Sequence, residues 1–477
     1  MATPADPFAP SPLAARPNLR GGGGPGGDVS RLRRLRARWH HALTRPSPVR
    51  LIALGYLGYM ALGWALLALP FAAAAPVAPL AHLFMAVSAV STTGLVTVDP
   101  GGSYTLFGEA VLLLLIQAGG LGFMTLGSVA WAALSGSAGP LRERVARSVL
   151  PGPAGLDVRR FLRRVVVYSL AVEAAGAAAL YALLPPTDAP GGVPWSAAFH
   201  SVSAFCTAGF SLHATSFEPF AGDPAVLLAV AALSLLGAMG FLVASELWDR
   251  ARGRLPRLSS STRLILGVTA ALVAGGTAFL AAAEPSLAAM PPGARLLNAF
   301  FQSMTAATTV GFNSVPIGAL APASVVVMYA LMLVGASPSG TGGGLKSTTV
   351  AVLAALVSAT ARGREAVTLF GRPVPPARVR QAASTLAVAL ALLGAAMLAL
   401  SLTDPGQPFG ALLFEAISAL GTVGLSLGIT GALSEGGKLV VVALMAAGRI
   451  GVLSLAVALA WHERARAEAA EAEDVVL

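Results

Sequence analysis

The chain alternates long apolar runs with short connectors that carry most of its charge. Apolar runs long enough to cross a bilayer, at about 20 residues each, occupy 50–71, 105–131, 163–184, 224–248, 264–284, 323–357, 378–402 and 437–461. They predict eight transmembrane helices grouped in pairs. Between the members of each pair lies a shorter lead-in: Leu80–Ser91, Trp195–Cys206, Arg295–Thr308 and Phe409–Gly421. At 12–14 residues, these are too short to span the hydrocarbon core as helix. They predict re-entrant half-helices, each pointing the negative end of its dipole toward the membrane interior, where it favours a cation.

Every lead-in ends in a Thr/Gly-rich tract. The tracts are Ser91-Thr92-Thr93-Gly94-Leu95, Cys206-Thr207-Ala208-Gly209-Phe210, Thr308-Thr309-Val310-Gly311-Phe312 and Gly421-Thr422-Val423-Gly424-Leu425. Their glycines recur at intervals of 115, 102 and 113 residues. Such self-similarity marks a repeated architecture. The expected fold is an all-α membrane protein with four pseudo-repeats of span, re-entrant pore helix, filter loop and span around one central pore. The repeats cover 50–131, 163–248, 264–357 and 378–461, between an N-terminal segment 1–49 and a tail 462–477. Irregular backbone at membrane depth survives only in protein or beside a water-filled cavity, which four tracts around one axis would create.

The tract chemistry suits a dehydrated cation. Backbone carbonyls replace an ion's hydration shell, and glycine permits the backbone angles that aim them. Threonine packs the loop and lends a hydroxyl. The candidate ion-binding residues are Thr92, Thr93, Gly94, Thr207, Ala208, Gly209, Thr309, Val310, Gly311, Thr422, Val423 and Gly424. One Thr-x-Gly tract is weak evidence; four, each after a short helix and between two spans, are strong.

A second feature breaks the sixth span. The stretch Gly335-Ala336-Ser337-Pro338-Ser339-Gly340-Thr341-Gly342-Gly343-Gly344-Leu345-Lys346 holds Pro338 and five glycines within ten residues, which no continuous helix survives. Apolar sequence continues on both sides, so an intramembrane loop at 335–344 is expected, and discontinuous helices mark ion pathways. A third feature is Arg449, in mid-span of the eighth helix. A charge at that depth needs an aqueous cavity and a partner. The carbonyls of the 335–344 loop are candidates, and Lys346 either snorkels to the cytoplasm or assists the loop.

Composition narrows the class further. The chain has 477 residues, 55% hydrophobic and 11% charged, far below the roughly 25% charged residues of soluble domains. Its mean hydropathy is +0.74 and its pI about 10.7. The basic residues lie between apolar segments and cover no single domain face, so a nucleic-acid partner is excluded. Arginines cluster at Arg31–Arg50, Arg142–Arg164, Arg250–Arg263 and Arg362–Arg380. The positive-inside rule makes those connectors cytoplasmic, together with both termini. Asp99, Glu109, Asp188, Glu218, Asp223, Glu284, Asp404 and Glu435 then fall on the outer side, where they either attract cations or solvate loops.

Residues 1–49 lack the apolar core of a signal peptide. The glycine run 21–27 predicts a flexible linker within a disordered stretch 1–30, and 31–49 suits a basic helix or anchor at the inner surface. Cys206 is the single cysteine, which excludes an intrachain disulfide and a Cys-based metal cluster. Glu173 and Glu415 are buried-carboxylate candidates, either on the ion pathway or in packing. His82 and His200 are expected at equivalent places in the first two half-helices, as repeat chemistry and not a metal site. His213 and Asn313 follow tracts, at the outer mouth or in plain loops. No span pairs His and acid at metal spacing, and no nucleophile sits with a base, so no enzyme is expected. The acidic tail Glu468–Asp474 reads as solvated.

Four span–pore-helix–span units with one glycine per tract resemble the Trk/Ktr/HKT superfamily of potassium transporters. The likeness covers about residues 50–461, and the eight spans with a short N-terminus are most similar to the Ktr-type membrane subunit. The resemblance implies K⁺ as the transported ion, bound at the four loops. Glycine at all four positions implies preference for K⁺ over Na⁺, since some plant members with Ser at the first position prefer Na⁺. A Na⁺-selective or weakly selective transporter on the same fold is the alternative. Cys206 before the second Thr departs from the commoner pattern. The resemblance also makes the 335–344 loop a gate and Arg449 an electrostatic barrier beside it.

As partners the resemblance implies a homodimer in membrane lipid, each protomer with its own pore. It further implies a cytoplasmic ring of Rossmann-type nucleotide-binding regulatory subunits of the KtrA/TrkA kind. The location it implies is a bacterial inner membrane, and Na⁺ is left open as an activator. No Gly-x-Gly-x-x-Gly fingerprint follows a strand here, so this chain itself is expected to bind no nucleotide.

Overall fold

The computed structural model describes residues 48–135, 158–187, 190–337 and 340–451. The expected N-terminal linker, the Arg142–Arg147 connector, Asp188, Pro338, Ser339 and the acidic tail lie outside the described residues. The chain runs as four groups of helices. The first is α1 (Pro48–Leu67), α2 (Pro79–Ser91) and α3 (Leu106–Ser135). The second is α4 (Val158–Leu183), α5 (Gly192–Phe205) and α6 (Pro224–Ala251). The third is α7 (Ser260–Ala283), α8 (Pro292–Ala307) and α9 (Pro322–Leu333), then β1 (Val334–Gly335), β2 (Leu345–Lys346) and α10 (Ser347–Ala361). A hairpin, β3 (Thr368–Leu369) and β4 (Arg372–Pro373), leads to the fourth group. That group is α11 (Pro376–Thr403), α12 (Phe409–Gly421) and α13 (Glu435–Ile450).

Helix starts follow local chemistry. Proline opens α2, α6, α8, α9 and α11, where its fixed φ suits the first turn and its missing N–H costs nothing. Asp223 caps α6 by accepting from Ala225 N and Val226 N, and Ser434 caps α13 by accepting from Gly437 N. These caps satisfy donors that a helix start leaves free.

Among the described residues four helical segments are long and apolar enough to cross a membrane: Arg163–Leu183, Pro224–Ala251, Ser260–Ala283 and Pro376–Thr403. Two inner members, α3 and α6, depart from the uninterrupted spans expected of them, while the third is split as expected. Helix α3 is broken at Gly122 (φ 78, ψ 145) and α6 at Gly240 (φ 79, ψ 165). The third inner helix is split into α9 and α10 by the glycine-rich loop, and α13 stops at Gly451 (φ 93). These angles are open to glycine and costly for other residues. The apolar pattern continues through Gly122 and Gly240, so periodicity alone does not register the breaks.

The half-helices are the most buried elements. Phe84 and Met85 of α2, Phe199 of α5, Phe301 and Met304 of α8 and Phe414 of α12 are fully buried. Large apolar side chains such as Leu114, Val357, Leu398 and Leu402 are exposed instead on the flanking helices, the inverse of a water-soluble core. Close approach uses small residues, as in membrane helix packing. Gly119, Gly237 and Gly448 leave no room for a Cβ against the carbonyls of Val90, Phe205 and Leu420, so the inner helices of the first, second and fourth groups grip the ends of their half-helices.

Candidate functional site

The four tracts adopt one backbone. Thr92, Thr207, Thr309 and Thr422 all sit in the left-handed region, at φ 51, 51, 59 and 50. A β-branched residue there is an outlier, and strain of this kind costs about 1–3 kcal/mol per site. Two positions on, Gly94, Gly209, Gly311 and Gly424 have φ 94, 67, 81 and 91. The residue between them donates its N–H back into the half-helix. Thr93 N reaches Ser88 O at 2.9 Å, Ala208 N reaches Ser203 O at 2.8 Å, Val310 N reaches Thr305 O at 3.1 Å and Val423 N reaches Ser418 O at 2.8 Å.

The tracts close on one another. A Cβ added at Gly94 would overlap the carbonyl of Ala208, at Gly209 that of Val310, at Gly311 that of Val423 and at Gly424 that of Thr93. The sequence of contacts runs first to second, third, fourth and back to first. Each contact joins a glycine to the carbonyl that precedes the next glycine. Four equivalent carbonyl oxygens are thereby gathered into one closed ring.

Struts from the half-helices hold this ring, and they were not singled out in the sequence. A hydroxyl residue stands six positions before each glycine: Ser88, Ser203, Thr305 and Ser418. Ser88 Oγ accepts Gly94 N at 3.1 Å and Ser418 Oγ accepts Gly424 N at 3.0 Å, while Ser203 Oγ donates to Phe210 O at 2.8 Å. Nine positions before the glycine stand His200, Gln302 and Glu415, each tied to the chain beyond its tract. His200 Nε2 pairs with Ser211 Oγ at 3.0 Å. Gln302 Oε1 accepts Ser314 N at 2.8 Å. Glu415 accepts from Ser426 Oγ, and from Thr430 Oγ1 at 3.0 Å. Aligning the four tracts on their glycines would have exposed both positions. His82 is not the counterpart of His200: it lies twelve positions before its glycine and pairs with Tyr104 Oη at 3.1 Å.

On one side of the ring a vestibule of about 410 Å³ touches all four glycines. Asp99, His213, Glu218 and Asn313 line it. Asn313 Nδ2 donates to Glu218 Oε1 at 2.7 Å. Burial lowers the pKa of His213, opposed by the charge of Asp99. Other acids expected on this side are clamps. Glu109 accepts Trp195 Nε1 at 2.5 Å. Glu284 accepts Ser286 N and Ala321 N, both at 3.0 Å, and Asp404 accepts Ser434 N at 2.6 Å. Burial raises the carboxyl pKa of Glu284 and Asp404, but these hydrogen bonds outweigh it and the net shift is downward.

On the opposite side the glycine-rich loop lies against the tracts. Its ends are tied by a parallel bridge, Val334 to Leu345 and Gly335 to Lys346. Ser337 N donates to Ala238 O and Thr341 N to Gly237 O, both at 3.2 Å. These carbonyls belong to the turn before the Gly240 break, where a helix leaves acceptors unpaired. Each tract threonine meets a different blocking group. Thr341 Oγ1 is 3.1 Å from Thr207 Oγ1, Gly342 abuts Thr309 Oγ1, and Gly343 abuts Thr422 Oγ1. Arg449 Nη1 donates to Thr92 Oγ1 at 2.9 Å. The same Nη1 donates to Thr341 O, and Nη2 donates to Gly119 O, in the turn before the Gly122 break. Lys346 Nζ turns inward to Gly342 O at 2.6 Å, so it does not snorkel. Arg449 makes no ion pair among the described residues.

The remaining candidates sit in a hydrogen-bonded cluster. Glu173 accepts both Gln117 Nε2 contacts, at 2.9 and 3.0 Å, and Cys206 Sγ lies 3.7 Å from it. Among the described residues no group of three or more His, Cys, Asp or Glu could hold a metal.

Known proteins share this organisation. The profile of the TrkH family, described as cation transport protein, matches residues 65–469. The Ktr system potassium uptake protein B of Vibrio alginolyticus is 36% identical over 373 residues, covering 77% of this chain and 81% of that protein. The protein of the same name from Bacillus subtilis (strain 168) is 31% identical, covering 78% and 83%. The potassium/sodium uptake protein NtpJ of Enterococcus hirae is 31% identical, covering 76% and 80%. The crystal structure of the potassium transporter TrkH from Vibrio parahaemolyticus superposes with a TM-score of 0.69 at 18% identity, over 86% of this chain and 84% of that one. A profile match along most of the chain, relatives above 30% identity and a shared fold agree with the apolar helices already described: this chain belongs to the TrkH family of the Trk/Ktr superfamily, multi-pass membrane cation transporters and not enzymes, and is similar to the Ktr-type membrane subunit.

Proposed function

We propose that the chain is the ion-translocating subunit of a K⁺ uptake system, with eight spans in four pseudo-repeats around one pore. The observation that carries this reading is the closed ring of four carbonyls, built by four tracts of one backbone conformation. Carbonyls so placed substitute for the water of a dehydrated monovalent cation. Thr92, Thr207, Thr309 and Thr422 line the inner side of that filter, and glycine at all four filter positions favours K⁺ over Na⁺.

The loop 335–344 is the gate. Thr341, Gly342, Gly343 and Arg449 together cover the inner faces of the four tracts, and no ion leaves the filter inward while they stay. Arg449 adds a positive charge on the path, and Lys346 holds the loop through Gly342 O. Opening therefore has to break these contacts, so the closed state dominates in the chain alone and only a minor open population carries ions. The names of the Ktr system relatives support a separate regulatory component, for which a cytoplasmic ring of nucleotide-binding subunits under a homodimer is our proposal. In this reading both termini are cytoplasmic and no nucleotide binds to this chain.

Tracer uptake into liposomes holding the purified protein tests the assignment. Rb⁺ uptake that K⁺ competes away and Na⁺ does not is the expected result. Na⁺ uptake equal to or above that of Rb⁺ would overturn the selectivity and leave a Na⁺-selective or weakly selective transporter, a reading that the potassium/sodium uptake relative keeps in play.

A further inference from the structure

Three ionisable groups line the vestibule: Asp99 beyond the first tract, and His213 and Glu218 beyond the second. In so small a cleft, charges on the wall act on any ion inside. Asp99 Oδ2 accepts Gly102 N at 3.1 Å, while its Oδ1 is buried with no partner. Among the described residues Glu218 pairs with the uncharged Asn313 amide and with no cation. His213 stacks on His200 at 4.7 Å and 12°, beside Phe217 and Phe220, and its Nε2 is buried with no partner. The chains bearing Asp99 and His213 touch, since Gly101 packs on Leu212 O with no space for a Cβ.

The two stacked histidines differ in what a proton does to them. His200 Nδ1 lies 2.7 Å from Ser196 O, which only accepts. Its Nε2 lies 3.3 Å from Leu212 N, which only donates, and 3.0 Å from Ser211 Oγ, which already accepts His213 N at 3.0 Å. The neutral ring with a proton on Nδ1 satisfies these contacts, whereas a second proton on Nε2 would face the Leu212 N–H. The geometry favours the neutral His200 ring, and His213, whose Nε2 has no partner, is the vestibule group left to change charge. The charged and titratable groups facing His213 are Asp99 from the first post-tract chain, His200 from α5, and Glu218 through Asn313. Glu109 stands behind Asp99, held by Trp195. Burial keeps His213 below the usual histidine range against the pull of Asp99, so it is neutral at neutral pH.

We propose that Asp99 and Glu218 concentrate the transported cation at the mouth and that His213 titrates their effect, so that acid on the vestibule side slows ion entry. This rests on reading that face as the outer mouth of a cation pathway. With His213 neutral the wall carries two negative charges, and its protonation leaves a net one. One unit charge about 8 Å away, at effective dielectric between about 40 and 80, changes the local cation concentration roughly two- to sixfold. The effect acts on entry, so it belongs to low ion concentration and fades at saturation.

The test is initial Rb⁺ uptake by cells lacking other K⁺ uptake and expressing the full chain, at external pH 7.5 and 5.5. Wild-type uptake at sub-saturating Rb⁺ should fall on acidification, by up to about sixfold where His213 is protonated, with little change at saturation. His213→Asn should remove that fall, and His213→Gln should repeat the result as a control for folding. Asp99→Asn should lower the pH 7.5 rate by a similar factor. A wild-type pH profile in both His213 variants would overturn the proposal, as would unchanged pH 7.5 rates in Asp99→Asn and Glu218→Gln. If the chain carries Na⁺ in preference to Rb⁺, the same profile should appear on Na⁺ uptake, so loss of the selectivity reading is distinguishable from loss of this one. Uptake of neither ion would remove both.

Discussion

Replacing Gly343 by Ala isolates the contact between the proposed gate and the proposed filter. Gly343 is not in the left-handed region, so an alanine suits its backbone. The obstacle is the side chain of Thr422, whose Cγ2 and Cβ would lie 2.9 and 3.0 Å from the new methyl, with Oγ1 closer still. Thr422 is fully buried, sits at φ 50 and ends a helix whose last turn its N–H closes onto Ala419 O at 3.1 Å. It has nowhere to retreat, so the loop must back away by about 1 Å. Overpacking of this size costs about 1–3 kcal/mol. The cost falls on the closed state alone, because an open loop has left the contact. A shift of that size raises the open population about 5- to 150-fold while the closed state dominates. Rb⁺ influx into liposomes containing only this chain should therefore rise at least about fivefold. Thr422→Ala removes Oγ1 and Cγ2, the two nearest atoms, and leaves only Cβ at 3.0 Å, so adding Gly343→Ala in that background should have a much smaller further effect. Unchanged or reduced influx in Gly343→Ala with an unaltered melting transition would refute the reasoning, as would an equal rise in both backgrounds.

Other outcomes follow from the same geometry. Arg449→Ala leaves Thr341 O and Gly119 O without their donor, at about 1–3 kcal/mol for each buried group; Rb⁺ leak should rise and the melting temperature fall, and neither changing would contradict the assignment. Gly94→Ser places a side chain on the carbonyl of Ala208 at φ 94; Rb⁺-over-Na⁺ preference in competition uptake should collapse, and retained preference would count against the filter. Ser88→Ala and Ser418→Ala each remove a hydrogen bond to a filter glycine N–H; each should cost about 1 kcal/mol and weaken ion discrimination, and the pair should act additively if the two struts are independent. Glu284 has a carboxyl pKa below its ordinary 4.5, so its clamp is fully stabilising above pH 4.5 and is lost as pH falls through the lower folded value. Glu284→Gln should destabilise at pH 7 and flatten the acid limb of the melting profile; a parallel limb in the variant would remove the clamp.

Some residues carried their role in the sequence because the role is local. The half-helix starting at Phe409 was legible from length and pattern and ends at Gly421, where the Thr/Gly tract begins. Pro338 among glycines made a helix break unavoidable. Gly122 and Gly240 carried no such mark, because glycine is common in membrane helices, here also as Gly119-Gly120 and Gly237 nearby, and the surrounding residues remain apolar. The acids show the opposite failure. Glu284 and Asp404 look like loop charges in sequence, yet each is buried and clamps the chain that leads into the next helix. Nothing local to either residue specifies the N–H it meets.

The sequence by itself determined the membrane class, the fourfold recurrence of Thr-x-Gly, the short helices before it and the loop that splits the sixth span. Each depends on apolar length, on backbone permissiveness or on a period that can be counted along the chain. Only the tertiary structure decided that the carbonyls of Thr93, Ala208, Val310 and Val423 close into a ring. It also decided that Thr341, Gly342, Gly343 and Arg449 divide the four threonines among them, and that Arg449 and the loop take carbonyls next to breaks in α3 and α6. These contacts join residues between 33 and 357 positions apart in the chain. Their existence depends on how four helix groups pack, and no local propensity encodes that.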